Sequence, residues 1–196
     1  MFIINPCAAG CGKPAITGSV LCFTHQANQE QETKRICDYI SGNPVIKDLI
    51  VSEIKFENTD FSKHHFYGCN LTGASFSDCN FSGVKIRMSF FDFAEFYSCD
   101  FTGSDIQFLS FAGAVFSCCD FSNSEIVHCN FEGTKIRETS FNNSNLYNSR
   151  FISGNLSKST FVDCNLKRVH FGGSKREDVI FKASNTAEAI YEPEEK

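Results

Sequence analysis

Phe76-Ser77-Asp78-Cys79-Asn80-Phe81-Ser82-Gly83 and, twenty residues on, Phe96-Tyr97-Ser98-Cys99-Asp100-Phe101-Thr102-Gly103 set the pattern of this chain. Stepping outward by five from either segment meets a large apolar residue every time from Phe56 to Phe171, twenty-four in succession. Of the 22 phenylalanines, sixteen fall on this register, so the aromatic bias has a structural cause and does not by itself imply ligand stacking. An interval of five fits neither the period of about 3.6 of an amphipathic helix nor the period of about 2 of a flat strand, and therefore indicates a repeat architecture.

Within each five-residue unit the large residue is a centre. Two positions before it stands a small residue, as at Ala74, Cys79, Ala94, Cys99, Ser104, Ala114 and Cys119. Residues two apart on a strand share a face, so centre and small residue both point inward. Two positions after the centre stands a turn former, as at Gly68, Gly73, Gly83, Gly103, Asn123, Gly133 and Asn143, which makes each unit a short strand followed by a corner. A second period of twenty lies over the first. Phe61, Phe81, Phe101, Phe121, Phe141, Phe161 and Phe181 form one column, and Cys79, Cys99 and Cys119 another. Twenty residues then make one turn with four sides, and residues 56 to 181 make a four-sided parallel β-helix of about six turns.

The segments at 76–83 and 96–103 resemble pentapeptide repeat proteins, and the resemblance covers about two thirds of the chain. It implies a right-handed quadrilateral β-helix, the hand that the crossover rule also favours. It further implies a non-enzymatic protein. Some members of the family bind type II topoisomerases as DNA-like rods and confer quinolone resistance, and some dimerise through an apolar C-terminal element, so a homodimer is among the associations open to this chain.

Residues 1–27 carry Cys7, Cys11, Cys22 and His25 in a C-x3-C-x10-C-x2-H spacing, with Gly10 and Gly12 on either side of Cys11. Two short-spaced ligand pairs suit tetrahedral Zn²⁺, and a module this short can bury little apolar area without a staple. Four protein ligands leave no open coordination position, so the site reads as structural. The competing reading is a set of unrelated thiols with a surface histidine, and Cys37 is a substitute fourth ligand. Residues 28–55 read as a helical connector and N-terminal cap, with Ile36, Tyr39 and Ile40 on one helix face and Ser41-Gly42-Asn43-Pro44 as the stop. The run Val45 to Val51 fits a strand or a second helical turn, and its Ile46 and Val51 keep the five-residue register. Residues 182–196 read as a C-terminal cap and acidic tail: Ser184 and Asn185 start a short helix over Thr186 to Tyr191 that covers the Phe181 end, and Pro193 onward is disordered.

Eleven cysteines behind an N-terminus without a signal-peptide pattern point to reduced thiols and a cytoplasmic protein, and no apolar run is long enough to span a membrane. Inward cysteines act as small hydrophobes, whereas Cys118 points outward as an incidental exposed thiol or an oxidation site. A net charge of −5 argues against general nucleic-acid binding by the rod. Between Arg87 and Lys135 there is no cation, while Asp92, Glu95, Asp100, Asp105, Asp120, Glu125 and Glu132 supply seven acids; from Lys135 to Lys182 the balance reverses. Such blocks are either solvated surface or a face for a basic partner groove. His64, His65, His128 and His170 are scattered and no nucleophile motif accompanies them. The sequence therefore points to a non-enzymatic scaffold that binds another protein, with a zinc-stapled N-terminal module. The alternative is a DNA-mimicking binder of DNA gyrase or topoisomerase IV that gives quinolone protection.

Overall fold

The protein is described here from a computed structural model over residues 4–191, so the expected disordered tail from Pro193 lies outside the described residues. Among those residues, twelve strands of three residues each run from β1 (Val45–Lys47) to β12 (Lys175–Glu177), and all pair in parallel at a register shift of twenty. One sheet stacks the strands centred on Ile46, Phe66, Ile86, Ile106 and Ile126. The other stacks those centred on Phe56, Phe76, Phe96, Phe116, Ile136, Leu156 and Arg176. The remaining two sides are joined only by single parallel bridges, such as Ile50 to Asn70 and Asp60 to Asn80, so strand structure is confined to alternate units. The result is an all-parallel β-solenoid of about seven turns, consistent with right-handed winding. It is about one turn longer than the sequence predicts, because the ladder already starts at Val45↔His65.

The centres make the core. Rings of the Phe61 column stack coil on coil, with centroids 4.6 Å apart from Phe61 to Phe81, 4.5 Å to Phe101, 4.3 Å to Phe121 and 5.0 Å to Phe141. Each ring also meets the neighbouring side edge-on, as Phe121 does Phe116 at 5.5 Å and 72°. Both arrangements suit the ring quadrupole. The small position satisfies backbone as well as space. In the Ser104–Ser124–Ser144 column, the Ser124 hydroxyl accepts the Ser104 amide at 3.1 Å and donates to the Phe101 carbonyl at 2.8 Å. Ser144 repeats this on Ser124 and Phe121 at 3.0 and 2.7 Å. The Cys99 and Cys119 thiols donate more weakly to the Phe76 and Phe96 carbonyls at 3.5 and 3.6 Å. Serine, threonine and cysteine can therefore exchange at this position.

The two ends differ. At the start, α1 (Gln29–Gly42) is capped by Asn28, whose side chain accepts the Gln31 amide, and lays Ile36 and Ile40 on the first coil. Tyr39, expected on the same face, is exposed, since the inward stripe is narrow. At the far end the inward position of β12 is Arg176, whose guanidinium lies 4.9 Å from the Tyr191 ring and 5.9 Å from that of Phe171. The expected helix over 186–191 shrinks to a 3-10 turn at Thr186–Glu188 that Asn185 does not cap. Ser184 and Asn185 serve the coil instead: Ser184 Oγ donates to the Phe161 carbonyl at 2.6 Å, and Asn185 Oδ1 accepts the Leu166 amide at 2.6 Å. Tyr191 stacks on Phe171 at 5.6 Å, and Tyr191 and Phe181 are both partly buried against the core. No helix among the described residues is long and apolar enough to cross a membrane.

Replacing Phe121 by Ala removes one ring from an uninterrupted stack and is expected to destabilise the solenoid by about 3–5 kcal/mol in urea denaturation. Phe93→Asn, at an exposed corner with φ of 58°, is expected to change stability by no more than about 1 kcal/mol.

Candidate metal centre and solenoid surface

The N-terminal module folds around two turns. The Cys7 amide donates to the Lys13 carbonyl and the Gly10 amide to the Cys7 carbonyl, both at 2.9 Å, and Pro6 bridges Pro14 antiparallel. Gly10 and Gly12 have φ of 73° and 78°, the left-handed region that a tight knuckle around Cys11 requires. The second pair lies on a 3-10 turn, Phe23–His25, which follows Cys22. Three residues per turn eclipse positions i and i+3, so the His25 ring returns to the Cys22 sulfur.

Cys7 Sγ, Cys11 Sγ, Cys22 Sγ and a His25 ring nitrogen all lie within 4.8 Å of one another. Cys11 Sγ is 3.7 Å from Cys22 Sγ, and His25 Nδ1 is 3.6 Å from Cys7 Sγ and 3.2 Å from Cys22 Sγ. A tetrahedral ion with metal–sulfur bonds of about 2.3 Å sets its ligand atoms roughly 3.7 Å apart, so the spacing is compatible with a metal site. Cys37, the substitute ligand, is not in the cluster and packs on the solenoid core.

The electrostatics favour the thiolate at Cys22 and Cys7. Burial opposes ionisation of Cys22, but hydrogen bonds from the Thr24 hydroxyl and from the His25 ring and amide outweigh it and bring the thiol down to about 6. The Cys22 amide, 3.2 Å from Cys7 Sγ, lowers Cys7 as well. At Cys11 the Lys13 amide favours the thiolate, yet burial and the neighbouring sulfurs leave that thiol raised. The sulfurs of Cys22 and Cys7 raise His25. In the solenoid, burial pushes Cys129 up to about 12 and Cys69 to about 11.

The seven acids between Asp92 and Glu132 do not form one face. Glu95 flanks the centre of one sheet, Asp105 and Glu125 lie on the other, Asp100 and Asp120 lie on a bridge side, and Asp92 and Glu132 lie on the fourth side. Most are engaged locally. Asp100 and Asp120 accept the amides of Thr102 and Ser122 at 2.8 and 2.9 Å, and Asp92 accepts the Ala112 amide at 3.0 Å. Asp105 pairs with Arg87, Glu125 accepts from Asn145 at 2.8 Å, and Glu132 meets Arg150 at 3.4 Å. The histidines are placed structurally: His64 Nε2 lies 3.1 Å from the Ile40 carbonyl, and His128 stacks on Phe108 at 5.0 Å.

The surface carries one feature that the sequence reading passes over. Met88, Phe93 and Phe108 occupy corner positions with positive φ and are 61%, 69% and 56% exposed. Bulky side chains are uncommon in that conformation. The Phe93 ring lies over Gly113, where a Cβ would come within 2.6 Å of it. The signal was available in the register, since Gly73, Gly113 and Gly133 hold the corner that Phe93 holds.

With the coil geometry in place, two family descriptions account for most of it: "Pentapeptide repeats (8 copies)" matches residues 52–87 and "Pentapeptide repeat region" matches residues 105–181. The chain belongs to the pentapeptide repeat family. Among solved structures, this pentapeptide repeat protein is similar to HetL of the cyanobacterium Nostoc, described as involved in heterocyst differentiation regulation, at 12% identity over 80% of this chain and 95% of that one, with a TM-score of 0.36. It is similar to a trypsin-treated form of QnrB1, a plasmid-mediated fluoroquinolone resistance protein, at 20% identity over 75% and 77% of the two chains, with a TM-score of 0.42. A pentapeptide repeat protein from the Arabidopsis thaliana thylakoid lumen is 23% identical over 59% and 70%, with a TM-score of 0.29. No curated protein matches the sequence.

Native protein treated with an alkylating reagent is expected to be modified at exposed Cys118 and spared at Cys69, Cys79, Cys99 and Cys129, which are buried among core side chains. Peptide mass spectrometry before and after unfolding checks this, and rapid native labelling of Cys129 would contradict it.

Proposed function

We propose that this protein is a non-enzymatic scaffold that binds another protein through its rigid solenoid, and that a structural Zn²⁺ held by Cys7, Cys11, Cys22 and His25 staples its N-terminal module. The observation that carries the reading is the convergence of four protein donors to within 4.8 Å in a segment that buries few side chains of its own. Three sulfurs and one imidazole are a donor set that zinc favours, and four of them close the coordination shell. The ion would supply folding free energy rather than a reactive water. On the solenoid, the exposed Met88, Phe93 and Phe108 offer a partner apolar contact.

Metal analysis of the purified chain tests the reading. One zinc per chain is expected, lost on changing Cys7, Cys22 or His25 to Ala, and absence of bound metal after zinc reconstitution would refute it. Because every ligand must be deprotonated to bind, protons compete with the metal, and apparent zinc affinity is expected to fall progressively as pH is lowered. Competition with a chromophoric chelator across pH reads this directly.

Placement of the acids on four sides leaves no single acidic face to imitate a duplex. Gyrase supercoiling, with and without a quinolone, is therefore expected to be unaffected by the protein. Protection in that assay would instead support the topoisomerase-binding reading.

A further inference from the structure

The module meets the solenoid where a coil lacks a predecessor. Down the side that contains Ile50, each amide in the column donates to the coil before it: Asn70 to the Leu49 carbonyl and Phe90 to the Cys69 carbonyl, both at 2.8 Å. Ile50 belongs to the first coil, and Thr17 takes the place of the missing one. The Ile50 amide donates to Thr17 Oγ1 at 2.8 Å, and the Ile50 carbonyl accepts the Thr17 amide at 2.9 Å. Unpaired backbone groups at such an edge are costly when buried and adhesive when exposed.

The loop bearing Thr17 is held from several directions. Arg35 on α1 donates through Nη2 to the Thr17 carbonyl at 2.6 Å, and its guanidinium lies over Gly18, where a Cβ would come within 3.1 Å of Nη1. Lys13 pairs with Glu53 at 2.7 Å, and Ile16 is buried in the same cluster as Val51 and Ile54. The candidate ligands bracket this loop, with Cys11 before it and Cys22 after it. An ion bound to both closes the loop and restricts its conformations, and without the ion the loop must be ordered by these few contacts alone.

We infer that residues 4–27 form a metal-dependent clasp: an occupied Cys7–Cys11–Cys22–His25 site holds Thr17 on Ile50, and loss of the metal releases Thr17 and opens the N-terminal edge of the solenoid. The inference rests on the zinc reading above. It gives the metal a local role at one end of the rod, because the coils below are held by their own ladder and ring stacks.

The test is amide exchange followed by NMR on the full chain, loaded with one Zn²⁺ and then stripped with a chelator. Stripping is expected to speed exchange at Ile50 by about tenfold or more, while amides in the coil from Phe101 to Phe121 keep their protection. Thr17→Val, which removes Oγ1 and keeps the branched shape, should speed exchange at Ile50 with zinc still bound. Unchanged exchange at Ile50 on stripping a loaded chain overturns the clasp and leaves the metal site standing, whereas a chain that takes up no Zn²⁺ overturns both. Loss of protection through Phe101–Phe121 on stripping also overturns it, because the metal would then support the whole fold. Unchanged Ile50 exchange in Thr17→Val overturns the role given to Thr17.

Discussion

The in-register parallel ladder is the interaction on which everything else depends. A shift of twenty residues puts Ile86 on Phe66 and Ile106 on Ile86 in one sheet, and Phe96 on Phe76 and Phe116 on Phe96 in the other. Like stacks on like, so each inward column must consist of residues that can pile up at the strand spacing. Phenylalanine does so by parallel offset stacking within a column and by edge contact between columns. Serine, threonine and cysteine do so by passing hydrogen bonds from coil to coil at the small position.

The same repetition explains why eleven cysteines play two unlike parts. Seven lie between Cys69 and Cys164, where all except Cys118 are buried. There the carbonyls of neighbouring coils accept from their thiols, and burial holds groups such as Cys129 protonated. In the module, three cysteines and a histidine face one another, and hydrogen bonds to the sulfurs favour the thiolate at Cys22. Cys7 and Cys22 are buried as well, so the two kinds of thiol differ in what faces the sulfur: carbonyl acceptors in the coils, and amide and hydroxyl donors in the module.

A run of seven acids in the sequence looks like a surface, and in three dimensions it is a belt. Successive units of five residues lie on successive sides of the rod, so acids close in the chain point in different directions, and Glu95, Asp100 and Asp105 each belong to a different side. A contiguous patch must instead be built from positions twenty apart or from adjacent corners, as the Met88 and Phe108 pair is. Partner recognition by such a rod is consequently written down its columns rather than along its chain.

The period of five, the overlying period of twenty and the four-residue Cys/His spacing were all legible, because each depends on residue identity at fixed intervals, and a repeat turns intervals into geometry. The sequence by itself thus determined a four-sided parallel solenoid, its inward residues and a candidate ligand set at Cys7, Cys11, Cys22 and His25. Tertiary structure alone decided the contacts outside the repeat. It turned two sides into strands and left two as bridges, assigned Cys37 to the core instead of the cluster, and gave the end of the rod to Arg176 and Tyr191. It also placed Thr17 on Ile50, thirty-three residues away in the chain. No interval announces such a contact, because it depends on where an irregular loop comes to rest when metal ligands, a helix and a sheet edge meet.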